Sequence, residues 1–238
     1  MKTANCQPVI KLTGLEKSYV TRNQKRVIYQ DVCLDAKAGE ITLIMGASGS
    51  GKTSLLRQIA LLDSVTKGDV QYYGESVAVL GSRAKAKVRA KFLGFIFQSF
   101  ALISEFSVLE NCVLPLLMNG YNKVEAREKA LAFIQTFIAD IDSTTRPDEL
   151  SGGEQQRVAI IRALIHEPGI IIADEPTGNL DDTNAQFIKD ELKRMAKVLN
   201  SAVIVVSHDT SFIDYADAFY ALEKGDNTDA KSSLIRYK

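Results

Sequence analysis

The chain has 238 residues, 46% of them hydrophobic, which is enough for a continuous core in one compact domain. Its 29 Lys and Arg residues balance its 29 Asp and Glu residues, so no net charge attracts nucleic acid, and a DNA- or RNA-binding role is disfavoured. Three widely spaced cysteines match neither a disulfide framework nor a zinc pattern, which favours a reducing cytosol. Since no apolar run approaches about 18 residues, we expect the chain not to cross a membrane by itself.

The first half of the chain changes from strand-like to helix-like patterns. Residues 9–45 alternate short apolar stretches with polar turns and predict strands. Apolar residues spaced by three and four predict a helix over 52–62, directly after a glycine-rich turn. Five basic residues lie within 83–91; if that segment is helical they are scattered around its axis, which favours a solvated face over a binding patch. Residues 105–150 lack a convincing strand, and 123–138 have one apolar helical face, so we predict a mostly helical insertion.

The second half alternates apolar β-branched runs with helices. We predict a helix through 158–161, a buried strand at 170–172, an amphipathic helix over 183–198 and a buried strand at 203–206. This alternation is typical of a parallel sheet covered on both faces. The polar tail, 225–238, predicts no element.

A phosphate-binding loop is predicted between the third strand and the first helix. The segment fits the pattern GxxxxGK followed by Ser or Thr. Glycines let backbone N–H groups converge on phosphate oxygens, Lys52 supplies charge to the β- and γ-phosphates, and the Thr53 hydroxyl reaches Mg²⁺. A flexible Gly/Ser turn would not require Lys and Thr at these places. The predicted nucleotide-binding residues here are Gly46, Ala47, Ser48, Gly49, Ser50, Gly51, Lys52 and Thr53.

Two adjacent carboxylates follow the buried strand at 170–172. Burying them is costly without a compensating cation, so they should lie at the exposed carboxyl end of the strand. Asp174 would hold Mg²⁺ through water beside Thr53. Because side chains alternate along a strand, Glu175 should point elsewhere and polarise a water aimed at the γ-phosphate. An Asp-Glu pair alone is more often a helix cap, but the phosphate loop favours a magnesium site.

A second glycine pair enters a helix at Leu150–Arg157, whose sequence is LSGGEQQR. The helix N-terminus is receptive to anions, and Ser151 could donate to a phosphate oxygen or simply cap the helix. LSGGEQQR between a phosphate loop and a DEP strand resembles the signature of the ABC ATPase family. The resemblance covers nearly the whole chain, and its nucleotide-binding residues here are Ser151, Gly152, Gly153 and Glu154.

The resemblance implies an α/β fold of the P-loop NTPase type. We expect one ABC ATPase domain over 1–238, with a RecA-like parallel-sheet core, an N-terminal antiparallel β subdomain and a helical signature subdomain at approximately 100–165. In this family two domains associate head to tail, and the signature of one closes on the ATP held by the other. ATP and Mg²⁺ are therefore the expected cofactors, and a second copy of the chain is an expected partner.

The same resemblance assigns further residues by motif order. Gln98 resembles the glutamine that senses magnesium, water and the membrane partner, which makes Thr53, Gln98 and Asp174 the metal set. His208 resembles the histidine that contacts the γ-phosphate, so Lys52, Glu175 and His208 form the catalytic set. Alone, most of these would be ordinary surface or core residues, and His166 is read as a loop residue. The remaining nucleotide-binding assignments are the adenine-stacking Tyr19, Thr177 in the ADEPTGNLD run, and Asp181 in the D-loop, Asn179–Asp181.

Three segments, around Gln98, at 114–117 and at 173–181, are similar in sequence to one branch of the family. This branch contains the lipoprotein-releasing ATPase (LolD), the macrolide exporter (MacB) and the cell-division ATPase (FtsE). This implies an integral membrane permease subunit of the few-span MacB/FtsX-like type, docking near residues 98–117. The chain would be peripheral on the cytoplasmic face of the inner membrane. Because no membrane region precedes its end at Lys238, a separate subunit for export, extraction or mechanotransmission is favoured. The sequence of residues 99–106 departs from the one expected at this place in LolD or MacB, which indicates a different membrane partner.

Two other functions stay open at this level. One is an ATPase that regulates an extracytoplasmic enzyme through a membrane partner, as the FtsE resemblance implies. The other is a soluble ABC ATPase of DNA repair or translation. That class usually needs a coiled-coil insertion or a second cassette, and neither fits in 238 residues.

Overall fold

A computed structural model describes residues 7–21, 24–178, 180–224 and 232–238. Asn179, the first residue of the D-loop assignment, lies outside the described residues. The strands in these ranges are β1 (Ile10–Thr21), β2 (Gln24–Ala36), β3 (Ile41–Met45), β4 (Lys67–Tyr72), β5 (Glu75–Ser76), β6 (Leu93–Ile96), β7 (Ile170–Asp174), β8 (Ala202–Val206), β9 (Ala218–Lys224) and β10 (Ser232–Arg236). The α-helices are α1 (Lys52–Ile59), α2 (Ser82–Phe92), α3 (Val108–Met118), α4 (Lys123–Phe137), α5 (Gly152–Leu164) and α6 (Asp182–Val198). Short 3₁₀ turns lie at Pro147–Glu149 and Thr210–Asp214.

These strands form one curled sheet in the order β5-β4-β1-β2-β10-β9-β3-β8-β7-β6. Within the run β9-β3-β8-β7-β6 neighbouring strands pair parallel with one another, whereas β5, β4, β1 and β2 pair antiparallel with one another. The loops that follow β3, β6, β7 and β8 therefore meet at one edge of the parallel half. The predicted catalytic and metal-binding residues lie at that edge.

Both faces of the parallel half are covered, as the apolar β-branched runs predict. Along β7, Ile170 and Ile172 pack in one core cluster with α1, while Ile171 and Ala173 pack in the other with α5 and α6. Strand β8 is buried along its whole length. A strand without a polar face belongs in the middle of a two-sided sheet.

A third core cluster joins α3, α4 and α5. Residues 105–150 contain no strand, so their predicted helical character is confirmed. Capping boxes begin α3 at Ser107 and α4 at Asn122, which fixes where these helices start. The subdomain boundaries near residues 100 and 165 stay a prediction.

Several elements differ from the expected pattern. The tail contains β10, which pairs antiparallel with β9 although most of its side chains are exposed. Helix α1 ends at Ile59, short of the expected residue 62, because Leu61 adopts a left-handed φ of 58°. In the described ranges no helix is long and apolar enough to span a bilayer.

Candidate active site

The phosphate loop leaves β3 and enters α1 through two glycines at which an added Cβ would crowd neighbouring atoms. Gly51 has φ 104°, and a Cβ there would lie 2.6 Å from Ile28 Cγ2. A Cβ at Gly46 would lie 2.5 Å from the Leu222 carbonyl oxygen. The backbone of the loop is thus shaped by close approach to β2 and β9, and it stays open toward the edge of the sheet.

Lys52 places its positive charge against this loop. Its Nζ donates to the carbonyl oxygens of Gly46 at 2.7 Å and Ala47 at 3.1 Å. The ammonium group therefore lies beside the backbone that would surround a phosphate. A point charge with three donors suits a phosphate group in that position.

Asp174 ends β7 as a partly buried carboxylate. Burial raises its pKa, and the neighbouring Glu175 raises it further, while Lys52 and a hydrogen bond from Thr53 act in the opposite direction. A carboxylate in this environment gains from a nearby cation. Carboxylate, hydroxyl and amide oxygens from Asp174, Thr53 and Gln98 fit Mg²⁺, which prefers oxygen ligands. In the described part of the chain no group of three His, Cys, Asp or Glu residues is placed to hold a metal ion.

Glu175 leaves the strand with a left-handed φ of 46°. Its Oε2 accepts hydrogen bonds from Ser207 Oγ at 3.1 Å and the His208 N–H at 3.3 Å, and it lies 2.9 Å from His208 Nδ1. Because β7 ends at Asp174, side-chain alternation does not apply to Glu175, and both carboxylates face the same cleft. Among the described residues these three contacts all converge on Oε2.

An open cleft of about 870 Å³ collects the residues predicted to carry the chemistry. They arrive from four separate segments that end at the same edge of the sheet. Ile28 and Ser54 line the cleft as well. The predicted residues that it brings together are Ser48, Gly49, Gly51, Lys52, Thr53, Gln98, Asp174, Glu175 and His208.

The signature residues lie outside this cleft and form the start of α5. Ser151 Oγ donates to Glu154 Oε2 at 2.5 Å, and the Ser151 N–H donates to the same oxygen at 2.7 Å. These two bonds hold the pKa of Glu154 below its usual value. Gly153 packs near Asn184, where a Cβ would lie 3.1 Å from Nδ2. Ser151 thus caps helix α5 in this structure, which is the second of the two roles that the sequence leaves open for it.

Three further predicted residues also lie away from the cleft. Tyr19 is 46% exposed on β1, with Lys17 Nζ 5.0 Å from its ring centroid. Asp181 caps α6 by accepting from the Asn184 backbone N–H at 2.8 Å. Thr177 is buried in the turn that follows β7. Their predicted contacts with nucleotide stay predictions.

Polar residues that sequence reasoning missed connect the site to its surroundings. Ser207 is fully buried beneath Glu175. Gln156 Nε2 donates to the Pro176 carbonyl at 2.9 Å, and Arg162 donates to the carbonyls of Phe100, at 2.8 Å, and Ala101. The sequence does mark Gln156 and Arg162, because these polar residues interrupt the otherwise apolar face of α5.

Residues 29–178 match the ABC transporter family. The chain belongs to the ABC transporter family. It is an ATP-hydrolysing cassette of such a transporter, and the predicted family and activity are confirmed.

Curated relatives point to one branch of that family. The chain is 39% identical to a lipoprotein-releasing system ATP-binding protein, LolD, of Pseudomonas fluorescens over 91% of this chain and 96% of that protein. It is 38% identical to LolD of Chromohalobacter salexigens over 93% of this chain and 94% of that protein. These values fit the predicted LolD/MacB/FtsE-like branch.

Solved structures confirm the predicted fold class. The chain superposes on the dimeric bacterial ABC transporter cassette MJ0796 with a TM-score of 0.82 and 36% identity, covering 90% of this chain and 94% of that one. It superposes on a post-hydrolysis state of the same cassette bound to ADP and Pi with a TM-score of 0.81 and 35% identity, covering 89% and 93%. ATP binding by this fold follows from these matches.

Proposed function

We propose that two copies of this chain close head to tail around two ATP molecules, and that closure drives a separate membrane subunit. The observation that carries the proposal is the division of the predicted site. Lys52, Glu175 and His208 line one cleft, whereas Ser151 and Asp181 lie elsewhere in the same chain. A second copy would supply the missing signature, and the similarity to a dimeric cassette supports that arrangement.

Within each closed site the residues would divide the chemistry. Lys52 neutralises the β- and γ-phosphates, and Glu175 orients and polarises the attacking water. His208 turns from Glu175 toward the γ-phosphate. Ser151 of the second copy leaves its bond to Glu154 and donates to the same phosphate, while Tyr19 stacks on adenine. Charge placed around the transferred phosphoryl group lowers the barrier more than any covalent step does.

Mg²⁺ belongs to this site as its metal cofactor. Thr53, Asp174 and Gln98 would hold it, since they supply oxygen atoms to one cleft. When bound, the ion neutralises phosphate charge. Asp174, whose charged form is disfavoured by burial, would be stabilised at the same time.

The membrane subunit would dock beside the segment after Gln98. An open groove of about 820 Å³ runs between β6 and α3 and includes Phe95, Ala101 and Leu114. It overlaps the predicted docking region, 98–117. The resemblance to lipoprotein-releasing relatives favours a few-span permease, extraction or export as the work performed, and a place on the cytoplasmic face of the inner membrane.

Glu175→Gln tests the ATPase half of the proposal. The amide keeps the size of the side chain but accepts a proton poorly, so we expect hydrolysis to fall about 100-fold or more. ATP binding should persist, and the variant should form a dimer only when ATP is added. Turnover and light scattering with and without ATP measure both effects.

Glu128→Gln is the matched control, because Glu128 is exposed on α4 and does not line the cleft. It should hydrolyse ATP normally. A Glu175→Gln chain that hydrolyses ATP at the normal rate and stays monomeric with ATP would overturn the proposal. Capture of an integral membrane protein by Glu175→Gln from detergent-solubilised membranes tests the transport half separately.

A further inference from the structure

Helix α2 exposes a row of positive charge. Arg83, Lys87 and Lys91 follow one another at intervals of four residues, and all three are exposed. Such residues lie on one face over about 12 Å. Helix α2 contains no acidic residue, and in the described part of the chain these three cations form no ion pair. We call this row the α2 basic face.

The other two basic residues of the segment point away from this row. Lys85 and Arg89 lie on the opposite side of the helix and are only half-exposed, and Arg89 donates to the Leu61 carbonyl at 2.9 Å. The five charges are therefore sorted into two groups and not scattered around the axis. The sorting leaves a concentrated positive field on a chain whose net charge is zero.

An apolar side chain is exposed directly beside the α2 basic face. The turn between α3 and α4 is tied to α2 by Asn119 Nδ2, which donates to the Ala90 carbonyl at 2.7 Å. Met118, 63% exposed, lines a shallow open depression together with all three cations of the row. Cations that flank an exposed apolar side chain are typical of surfaces that rest on anionic bilayers.

We infer that the α2 basic face binds anionic phospholipid headgroups of the membrane, with Met118 reaching the boundary of the acyl chains. The inference rests on the proposed function, in which a membrane subunit docks in the adjoining groove that Met118 also lines. Two of the three cations are lysines, compact point charges suited to mobile headgroups, whereas a defined acidic peptide favours the arginine fork. The face is open and presents no deep pocket for a peptide side chain.

Vesicle binding by the full chain tests this site. The probes are phosphatidylcholine vesicles with and without about 30% phosphatidylglycerol. We expect sedimentation with the anionic vesicles alone and release at high salt, since the attraction is screened. The triple variant Arg83→Gln, Lys87→Gln and Lys91→Gln should lose about 100-fold in partitioning, because each basic residue near the surface contributes about fivefold.

A second triple variant controls for net charge. Lys11, Lys193 and Lys197 are exposed on β1 and α6, so their change to Gln removes the same charge elsewhere. This control should keep partitioning within a few-fold, and both triple variants should keep normal ATP hydrolysis. Equal losses in the two variants, or no binding of the unmodified chain to anionic vesicles, would overturn the lipid site.

The test separates this site from the proposed function. Vesicles of pure lipid contain no permease, so a chain that captures a membrane protein but ignores anionic vesicles loses the lipid site alone. A chain that binds the vesicles but captures no membrane protein loses the docking proposal alone. Loss of capture in uncharged detergent by the α2 triple variant would assign the face to a protein and overturn the lipid assignment.

Discussion

Ser207 is the residue that holds the proposed water-activating carboxylate in place. It is fully buried, its hydroxyl donates to Glu175 Oε2 at 3.1 Å, and its Oγ accepts the Asp209 N–H at 3.1 Å. If His208 turns toward a phosphate as proposed, the bond from Ser207 would still hold the carboxylate. We therefore expect Ser207 to act as a positioning residue that holds the Glu175 carboxylate at the edge of the cleft.

Replacing Ser207 with Ala should impair turnover and spare binding. Losing one hydrogen bond to the carboxylate should lower kcat about tenfold, while the KM for ATP changes less than about twofold. Ser207→Thr, which keeps the hydroxyl, should restore most of the rate. Steady-state kinetics and the Tm of each variant separate this effect from a loss of fold. An unchanged kcat in Ser207→Ala would contradict the positioning role.

Single functional residues can be predicted from the sequence when they lie within a short contiguous motif. Lys52 and Thr53 follow their glycines directly, and Asp174 ends an apolar run, so local pattern suffices. Ser207 was missed because its bond reaches Glu175 across 32 positions of the chain. The prediction for Glu175 follows from its place after Asp174, but its orientation depends on a left-handed backbone that residue type does not reveal.

Helix α5 links the signature to the segment after Gln98. Arg162, in its last turn, donates to the carbonyls of Phe100 and Ala101. Both of those residues have left-handed φ values, 60° and 51°, a conformation that favours glycine. The arginine thus compensates an unfavourable backbone next to the proposed docking groove, which it also lines.

Arg162→Met should release this segment. The variant keeps much of the apolar stem but loses every donor, so we expect faster amide exchange over residues 99–103 and about 1–3 kcal/mol less stability. Hydrogen exchange read by mass spectrometry measures the local change. Arg194→Met, on the exposed side of α6, removes an equal charge and should leave residues 99–103 unaltered. Unchanged protection in Arg162→Met would show that the arginine does not hold the segment.

Elements were predictable where burial imposes a regular pattern. Strands β7 and β8 are apolar throughout because the sheet is covered on both faces, and α6 has one apolar stripe. Strand β10 lies mostly exposed and is fixed by its ladder with β9, so its side chains carry little signal. The sorting of charge on α2 became visible only from the exposure of each side chain.

In the whole molecule, each proposed ATP site combines Lys52 of one copy with Ser151 of the other. Lys52→Ala and Ser151→Ala chains should each be nearly inactive alone. Mixing them forms heterodimers in which one site has both residues and the other has neither. If the two sites act independently, a 1:1 mixture should recover about one quarter of the unmodified rate, since half of the dimers carry one intact site.

ATPase assays on the two pure variants and on their mixture measure this recovery. The result separates sharing between copies from completion within one chain, because residues that act within one chain give no gain on mixing. A mixture of Lys52→Ala with Glu175→Gln is the control: both residues line the same cleft, so neither copy can repair the other. Recovery in the first mixture and none in the second is the pattern that only a shared site produces, and equal rates in both would reject the head-to-tail dimer.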